Sequence, residues 1–367
     1  MKHLLLATSL VALAASAASA ETIRTTSSFG PNHVLATDGY PVLFEKLSEF
    51  TDGRWTGIDT PSGLLAPNEM NTGLRDGVSD MGPIIMPYFA ADYVESGLVA
   101  EMSMLGSDNR AISSAVTEYI ATCAQCVAEF AANGQVFLGN DSTTNYQFLS
   151  SVEINSLEDL QGLRIRTAGS VFTRFVEGMG AEPVQMPSSE LFEALSSGVI
   201  DATYSSVGDL KNAQLYDVVS SVTLVDKGVF NAAAMTNVSQ ILWSRMSTED
   251  RDALAHASQF AQAIGVYSWR DTAVEAEAVA REAGITFITP DAEFIAKGDE
   301  IRDAHMASVV ATLTERGVTD AATKVARYEA LLIKWEGLVE EVTSAEELAE
   351  LRYQTIWADV DFASYGN

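Results

Sequence analysis

The chain reads as an α/β protein built from two lobes, and three observations predict this. Residues 156–205 run as strand, helix, strand, helix, strand with short connections. Residues 21–89 begin with the same βαβαβ logic. A long helical pattern opens at Ser247 and outruns a single domain layer, so it braces two lobes. The chain has 367 residues, 47% of them apolar, enough for two ordinary α/β units with sizeable cores.

In chain order, the first twenty residues carry the marks of an export leader. Lys2 and His3 are followed by the apolar stretch 4–15 and by Ala18-Ser19-Ala20 before Glu21. A periplasmic protein is expected. No later stretch approaches the roughly 18–20 apolar residues of a membrane span. A strand is predicted over 21–28, with the loop Phe29-Gly30-Pro31-Asn32-His33 at its C-terminal end. A helix over 34–50, a strand over 55–60 and a helix to Asp76 capped by Asn68 follow. A further strand starts at Val78 and runs on to Phe89. Ile85, Tyr88 and Phe89 suit a core or a ligand wall equally well.

Residues 111–132 read as one amphipathic helix with Cys123 and Cys126 near its middle. A C-x-x-C in that position predicts a structural disulfide or two packed thiols, not a redox centre. Strands over 135–138 and 146–149 lead to the central stretch. There Ser156 and Asp159 form a capping box. Residues 163–167 alternate apolar and polar as a strand does. Phe172, Phe175, Val176 and Met179 share one helix face, closed by Gly180. A strand over 183–186 precedes a helix over 187–197, capped by Ser188 or Ser189, with Leu191, Phe192 and Leu195 inward. A third strand covers 199–204. The remainder reads as a helix after Ser206, strands over 218–225 and 230–236, and the long helix from 247 to about 284. A strand over 285–288 and three C-terminal helices close the chain.

Arg166 is the chemically pointed residue. It stands at the C-terminal end of its strand, before a Gly turn and a helix start, the edge where open α/β sheets bind ligands. Its guanidinium offers a planar fork to a carboxylate. The competing reading pairs it with Glu190 or Asp201.

The formal net charge of −28 argues against nucleic-acid binding and against docking on anionic membranes. An anion site in such a chain has to be locally basic. The mature histidines, His33, His256 and His305, are scattered without neighbouring ligands, so no metal is expected. There is no G-x-S-x-G elbow, P-loop, strand-borne G-x-G-x-x-G or H-E-x-x-H, which weighs against an enzyme and implies no cofactor.

Several stretches resemble one family. They are Leu160 to Arg166 (LQGLRIR), Met179 to Pro187 (MGAEPVQMP), Glu190 to Leu195 (ELFEAL), Gly198 to Asp201 (GVID) and, in the first lobe, Gly73 to Met81 (GLRDGVSDM). With the leader and the bracing helix, the chain resembles the solute-binding proteins of TRAP transporters, of the C4-dicarboxylate-binding type. The resemblance implies a two-lobed periplasmic binding protein fold with mixed sheets and a ligand cleft between the lobes. It implies lobes over 21–142 plus 236–270 and over 143–235 plus 271–367. It implies a monomer that captures a small organic acid and hands it to a membrane permease, with Arg166 holding the carboxylate and backbone N–H groups near Gly169 and Ser170 assisting. Where sialic-acid binders carry Asn, Arg, Glu and Arg, this chain has Ser205, Tyr146, Ile85 and Tyr88. Ser28, Phe29 and Asn231 complete the expected ligand set. The pocket is then more apolar and aromatic than one for a polyhydroxylated sugar acid. It suits a compact monocarboxylate, an aromatic or keto acid, or a small dicarboxylate. A sensor subunit for a signalling receptor, a periplasmic α/β enzyme and an amine binder with Tyr88 and Tyr146 as cage walls are the alternatives.

Overall fold

The structure, a computed structural model, describes residues 20–366. The expected leader, apart from Ala20, lies outside the described residues. Eleven strands form among them: β1 (Glu21–Thr25), β2 (Trp55–Asp59), β3 (Met81–Ile85), β4 (Gln135–Phe137), β5 (Tyr146–Ser150), β6 (Arg164–Thr167), β7 (Glu182–Gln185), β8 (Ala202–Ser206), β9 (Ser221–Thr223), β10 (Ala233–Ser239) and β11 (Thr286–Ile288). Two mixed sheets result, ordered β2-β1-β3-β10-β4 and β7-β6-β8-β5-β9-β11.

Each sheet opens with three parallel strands whose first member is central, then adds an antiparallel fourth. That fourth strand follows a crossing from the other sheet. β5 comes after the first sheet's β4, and β10 after the second sheet's β9. Two lobes without a linker are therefore joined by two extended segments, which pair with each other at Asp141–Ala233 and Asn145–Val229.

The helices are α1 (Tyr40–Phe50), α2 (Met70–Arg75), α3 (Leu98–Glu101), α4 (Asn109–Ala121), α5 (Ala124–Ala132), α6 (Ser170–Gly178), α7 (Leu191–Ser196), α8 (Asp209–Asn212), α9 (Gln240–Trp243), α10 (Thr248–Glu282), α11 (Ala292–Glu315), α12 (Ala321–Leu338) and α13 (Ala345–Arg352). The 35-residue α10 starts where the sequence predicts. Ser247 Oγ accepts from the Asp250 N–H at 3.1 Å, and Asp250 accepts from the Ser247 hydroxyl at 2.8 Å. Its first half packs on α1 and α13. Its far end buries Ala276 and Ala280 in the small core of the second lobe. One helix thus spans both lobes.

α11 makes the return journey. Phe294 meets Phe148 of β5, while Val309 and Leu313 are buried toward the first lobe. From α12 onward the chain lies against first-lobe elements. The Trp335 indole donates to Glu118 at 2.7 Å, and the Tyr365 hydroxyl donates to the Phe137 carbonyl at 2.8 Å. The grouping of 271–367 with the second lobe is therefore redrawn. The apolar faces of α12 and α13 fit α4 and α10, which sequence periodicity does not reveal.

The helix expected over 111–132 is broken. Cys123 leaves helical geometry (φ −102°, ψ 105°) and its sulfur accepts from the Cys126 N–H at 3.1 Å, so α5 starts afresh. Cys123 and Cys126 form a disulfide. Other shifts are local. A 3-10 turn, Met86–Phe89, replaces the end of the third strand, and Glu69 rather than Asn68 precedes α2. Phe192 faces outward from α7, 39% exposed, whereas Leu191 and Leu195 are buried.

Candidate functional site

A cavity of about 390 Å³ lies at the C-terminal ends of β1, β3 and β6, with residues of both lobes in its wall. Arg166 reaches it from β6, two residues beyond Arg164. Arg164 is saturated: its Nε and Nη2 donate to Asp201 at 3.0 and 2.8 Å. Arg166 is only 2% exposed yet has no ion-pair partner among the described residues. Its Nε donates to the Met186 carbonyl at 2.9 Å and its Nη2 to the Tyr88 hydroxyl at 3.2 Å. Nη1 carries no hydrogen bond within the described residues. A buried guanidinium with an open edge toward a cavity is poised for an anion. The alternative pairing with Glu190 or Asp201 is not found.

Tyr88 crosses between the lobes. It sits on the turn after β3, and its hydroxyl accepts from both Arg166 and the Ser188 N–H, the latter at 3.1 Å. Its own proton remains free to donate. Tyr146, from β5, stacks on Phe172 with ring centroids 4.8 Å apart and stands edge-on to Tyr204. Burial raises its phenol well above the ordinary range. Ile85, Phe29 and Ser28 complete this group. Phe29 stacks on His33 at 4.4 Å, and Ser28 holds φ 69° with its buried hydroxyl unpartnered.

Of the nine expected ligand residues, these six line the cavity and three do not. Ser205 lies one layer back on β8, its hydroxyl fully buried outside the cavity wall. Gly169 is pressed against the other lobe, where a Cβ would stand 3.0 Å from that of Pro87. The turn it shares with Ser170 is taken up structurally, since the Ser170 hydroxyl donates to Glu101 at 2.8 Å. Asn231 accepts from Ser103 at 2.7 Å and donates to Tyr328 at 3.3 Å inside the core. Gly169 and Asn231 stand beside cavity residues in sequence, Ala168 and Phe230, but do not themselves line the opening.

Among the wall residues outside the expected ligand set, four bear on the chemistry: His33, Asp141, Asp209 and Trp269. His33 is buried, and burial pushes it down to about 3, so it is a neutral ring; its Nδ1 accepts from the Leu35 N–H at 3.2 Å. Burial pushes the Asp141 carboxyl up to about 7, against the Ser142 N–H, Arg352 and Trp269, which favour its ionised form. Burial likewise lifts Asp209 to about 6, opposed by Ser205 and Arg166. Trp269 projects from the middle of α10 and meets His33 edge-on at 5.4 Å. A strand-end histidine was the one available signal. A Trp in a long helix reads as core, and Asp209 opens the short α8, where an acid reads as a helix-start residue. No cluster of three or more potential metal ligands occurs among the described residues, and no helix among them is long and apolar enough to cross a membrane.

Residues 33–312 match the family model for the bacterial extracellular solute-binding proteins, family 7. Over 285 residues the chain is 22% identical to an outer membrane transporter protein, TsaT, of Comamonas testosteroni, covering 76% of this chain and 80% of that one. Its fold is similar to that of a TRAP solute-binding protein from Rhodoferax ferrireducens in complex with copurified benzoate. There the TM-score is 0.78 and the identity 20%, over 87% of this chain and 99% of that one. It is similar also to a TRAP periplasmic solute-binding protein from Bordetella bronchiseptica with bound mandelate, with a TM-score of 0.74 and 20% identity over 86% and 99% of the two chains.

Proposed function

The chain belongs to family 7 of the bacterial extracellular solute-binding proteins, the TRAP type, and from that premise we propose that it captures a small organic acid by its carboxylate and delivers it to a membrane permease. The observation that carries the reading is Arg166, buried at the cavity with one edge of its guanidinium unclaimed. The carboxylate binds that edge, and the free Tyr88 proton supplies a further donor. The benzoate and mandelate complexes of similar proteins support a compact monocarboxylate. The aromatic wall of Phe29, Tyr88, Tyr146, Phe230 and Trp269 suits the same class.

Closure follows from the connections between the lobes. Two extended crossings, α10 and α11 join them, and Tyr88 bridges to Arg166 and Ser188 above the cavity. The lobes swing apart on the connecting segments, admit the acid, and close over it. In this reading the leader exports the protein to the periplasm and is cleaved after Ala20.

The test is thermal unfolding of ligand-stripped protein against a panel of carboxylates, sulfonates and amines, since a ligand specific for the folded state raises the midpoint. A shift from carboxylates that disappears in Arg166→Ala is expected. A shift from amines alone, kept in Arg166→Ala, contradicts the carboxylate clamp, and mass-spectrometric detection of turnover contradicts a purely binding role.

A further inference from the structure

The charges around the cavity do not describe a site for a simple anion. Arg166 and Asp209 form one opposed pair, and Arg352 and Asp141 another. Neither pair is in direct contact: no ion pair joins either among the described residues. Arg352, fully buried behind the wall, instead donates through Nη2 to Thr117 Oγ1 at 2.5 Å and to the Asn140 carbonyl at 3.1 Å. Arg166, Asp141 and Asp209 line the cavity itself. With both carboxylates ionised the four charges balance and His33 adds none, while burial without a directly contacting cation draws Asp141 and Asp209 toward their protonated forms. Closing the lobes over a monoanion would then leave one buried negative charge uncompensated or force one of these carboxyls to take up a proton, and a dicarboxylate would double that cost.

Asp141 is also built to face the opening. Its Oδ1 accepts from the Ser142 N–H at 2.7 Å, while its Oδ2 rests over Gly265 of α10, where a Cβ would come within 2.8 Å. A side chain at 265 would displace the carboxylate. Glycine in a helix interior costs stability, and here it makes room for the acid. The Ser142 hydroxyl beside it and the Ser28 hydroxyl across the wall are both more than nine-tenths buried, line the same cavity and have no protein partner. Trp269, His33 and Phe29 form a continuous aromatic row next to Asp141.

We propose that the bound acid is a compact zwitterion, with its carboxylate on Arg166 and a positively charged nitrogen received by Asp141 and the Ser142 hydroxyl beside the aromatic row. This rests on the carboxylate-binding reading above and narrows it. A zwitterion keeps the closed cavity neutral, places each pole against an opposite one, and gives the unpartnered hydroxyls a donor. The amine-binding and acid-binding expectations then describe two ends of one ligand.

The experiment is calorimetric titration of the ligand-stripped protein with matched pairs: proline against cyclopentanecarboxylate, phenylalanine against 3-phenylpropionate, and succinate as the dicarboxylate. At least one amino acid is expected to bind tenfold or more tighter than its desamino partner. Asp141→Asn should erase that preference, weakening the amino acid while the desamino acid binds as well as or better than it does to the wild-type protein because one buried negative charge is gone. Gly265→Ala, which crowds the same carboxylate, should reduce the preference. Arg166→Ala should weaken both members of a pair. Equal or tighter binding of the desamino acid or of succinate to the wild-type protein overturns the zwitterion. If that binding is still lost in Arg166→Ala, the carboxylate clamp stands. No binding by either member of any pair overturns both. The wild-type ratio decides the matter even where a variant fails to fold.

Discussion

The two lobes contain the same strand-joining clamp, and only one of them is followed by an arginine at the cavity. In the first, the Arg24 backbone N–H and Nε donate to Asp80 Oδ2 at 2.9 and 3.1 Å, and Nη2 donates to Oδ1 at 3.4 Å. In the second, Arg164 does the same to Asp201 with its N–H, Nε and Nη2 at 2.9, 3.0 and 2.8 Å. Each aspartate directly precedes the third parallel strand, and its own N–H returns a 2.8 Å bond to the arginine carbonyl. The clamp fastens the first strand to the third in both sheets. Two residues on, where the side chain points to the same face, the lobes part. The first has Thr26, buried with its hydroxyl unpartnered, and the second has Arg166. The scaffold is duplicated, and in the proposed function the carboxylate is taken at the one position where the two lobes differ.

The sharpest way to break this comparison is to remove the difference. Arg166→Ala is expected to cost roughly 2–5 kcal/mol of ligand affinity with little change in ligand-free stability, measured by calorimetry and by urea unfolding. A smaller effect distinguishes the cavity acid from the clamp acids. Asp141 has its folded-state pKa raised to about 7 by burial, above the ordinary carboxylate value, so the folded protein holds that proton longer than the unfolded chain. Its contribution to stability is present below about pH 4 and is lost as pH rises through about 7, at up to about 1.4 kcal/mol per pH unit. Asp201, held low chiefly by its bond to Arg164, behaves oppositely and loses its contribution only as pH falls below the ordinary carboxylate range. Unfolding of ligand-free Asp141→Asn from pH 4 to 7 should therefore show a shallower downward slope than the wild-type protein, Asp209 keeping its own share.

The clamps themselves should matter modestly and equally. Both arginines are substantially exposed, 64% and 41% by side chain. Arg24→Ala and Arg164→Ala should each lower stability only slightly, by a similar shift in the unfolding midpoint, and leave affinity within threefold. A large affinity loss in Arg164→Ala alone would show that the clamp is more than scaffold. The smallest effect belongs to Thr26→Val. Removing a buried, unpartnered hydroxyl without changing shape should be neutral or stabilising by up to about 1 kcal/mol, with no effect on binding.

Much of this duplication was legible in the sequence because it is local. Glycine turns and short alternating runs placed β1 to β3 and β6 to β8, and the strand-end position of Arg166 followed from them. What escaped has physical causes. Ser205 is fully buried within β8, away from the cavity wall, which the strand pattern alone does not decide. Gly169 and Asn231 are consumed by packing against Pro87 and by hydrogen bonds with Ser103 and Tyr328. Asp141, Asp209 and Trp269 reach the cavity from three distant segments, and no spacing rule links them. The return of α12 and α13 to the first lobe depends on which apolar faces fit, which periodicity leaves open. The helix break at Cys123 is fixed by a cap made by sulfur, an atom that ordinary capping patterns do not anticipate.

The most direct measurement is a crystal structure of the protein with its copurified or titrated acid bound. A ligand carboxylate oxygen about 2.7–2.9 Å from Arg166 Nη1, inside the cavity that Tyr88 spans, is the predicted result. A ligand whose carboxylate lies elsewhere, with Arg166 drawn instead into a direct ion pair with Asp209, would contradict the account.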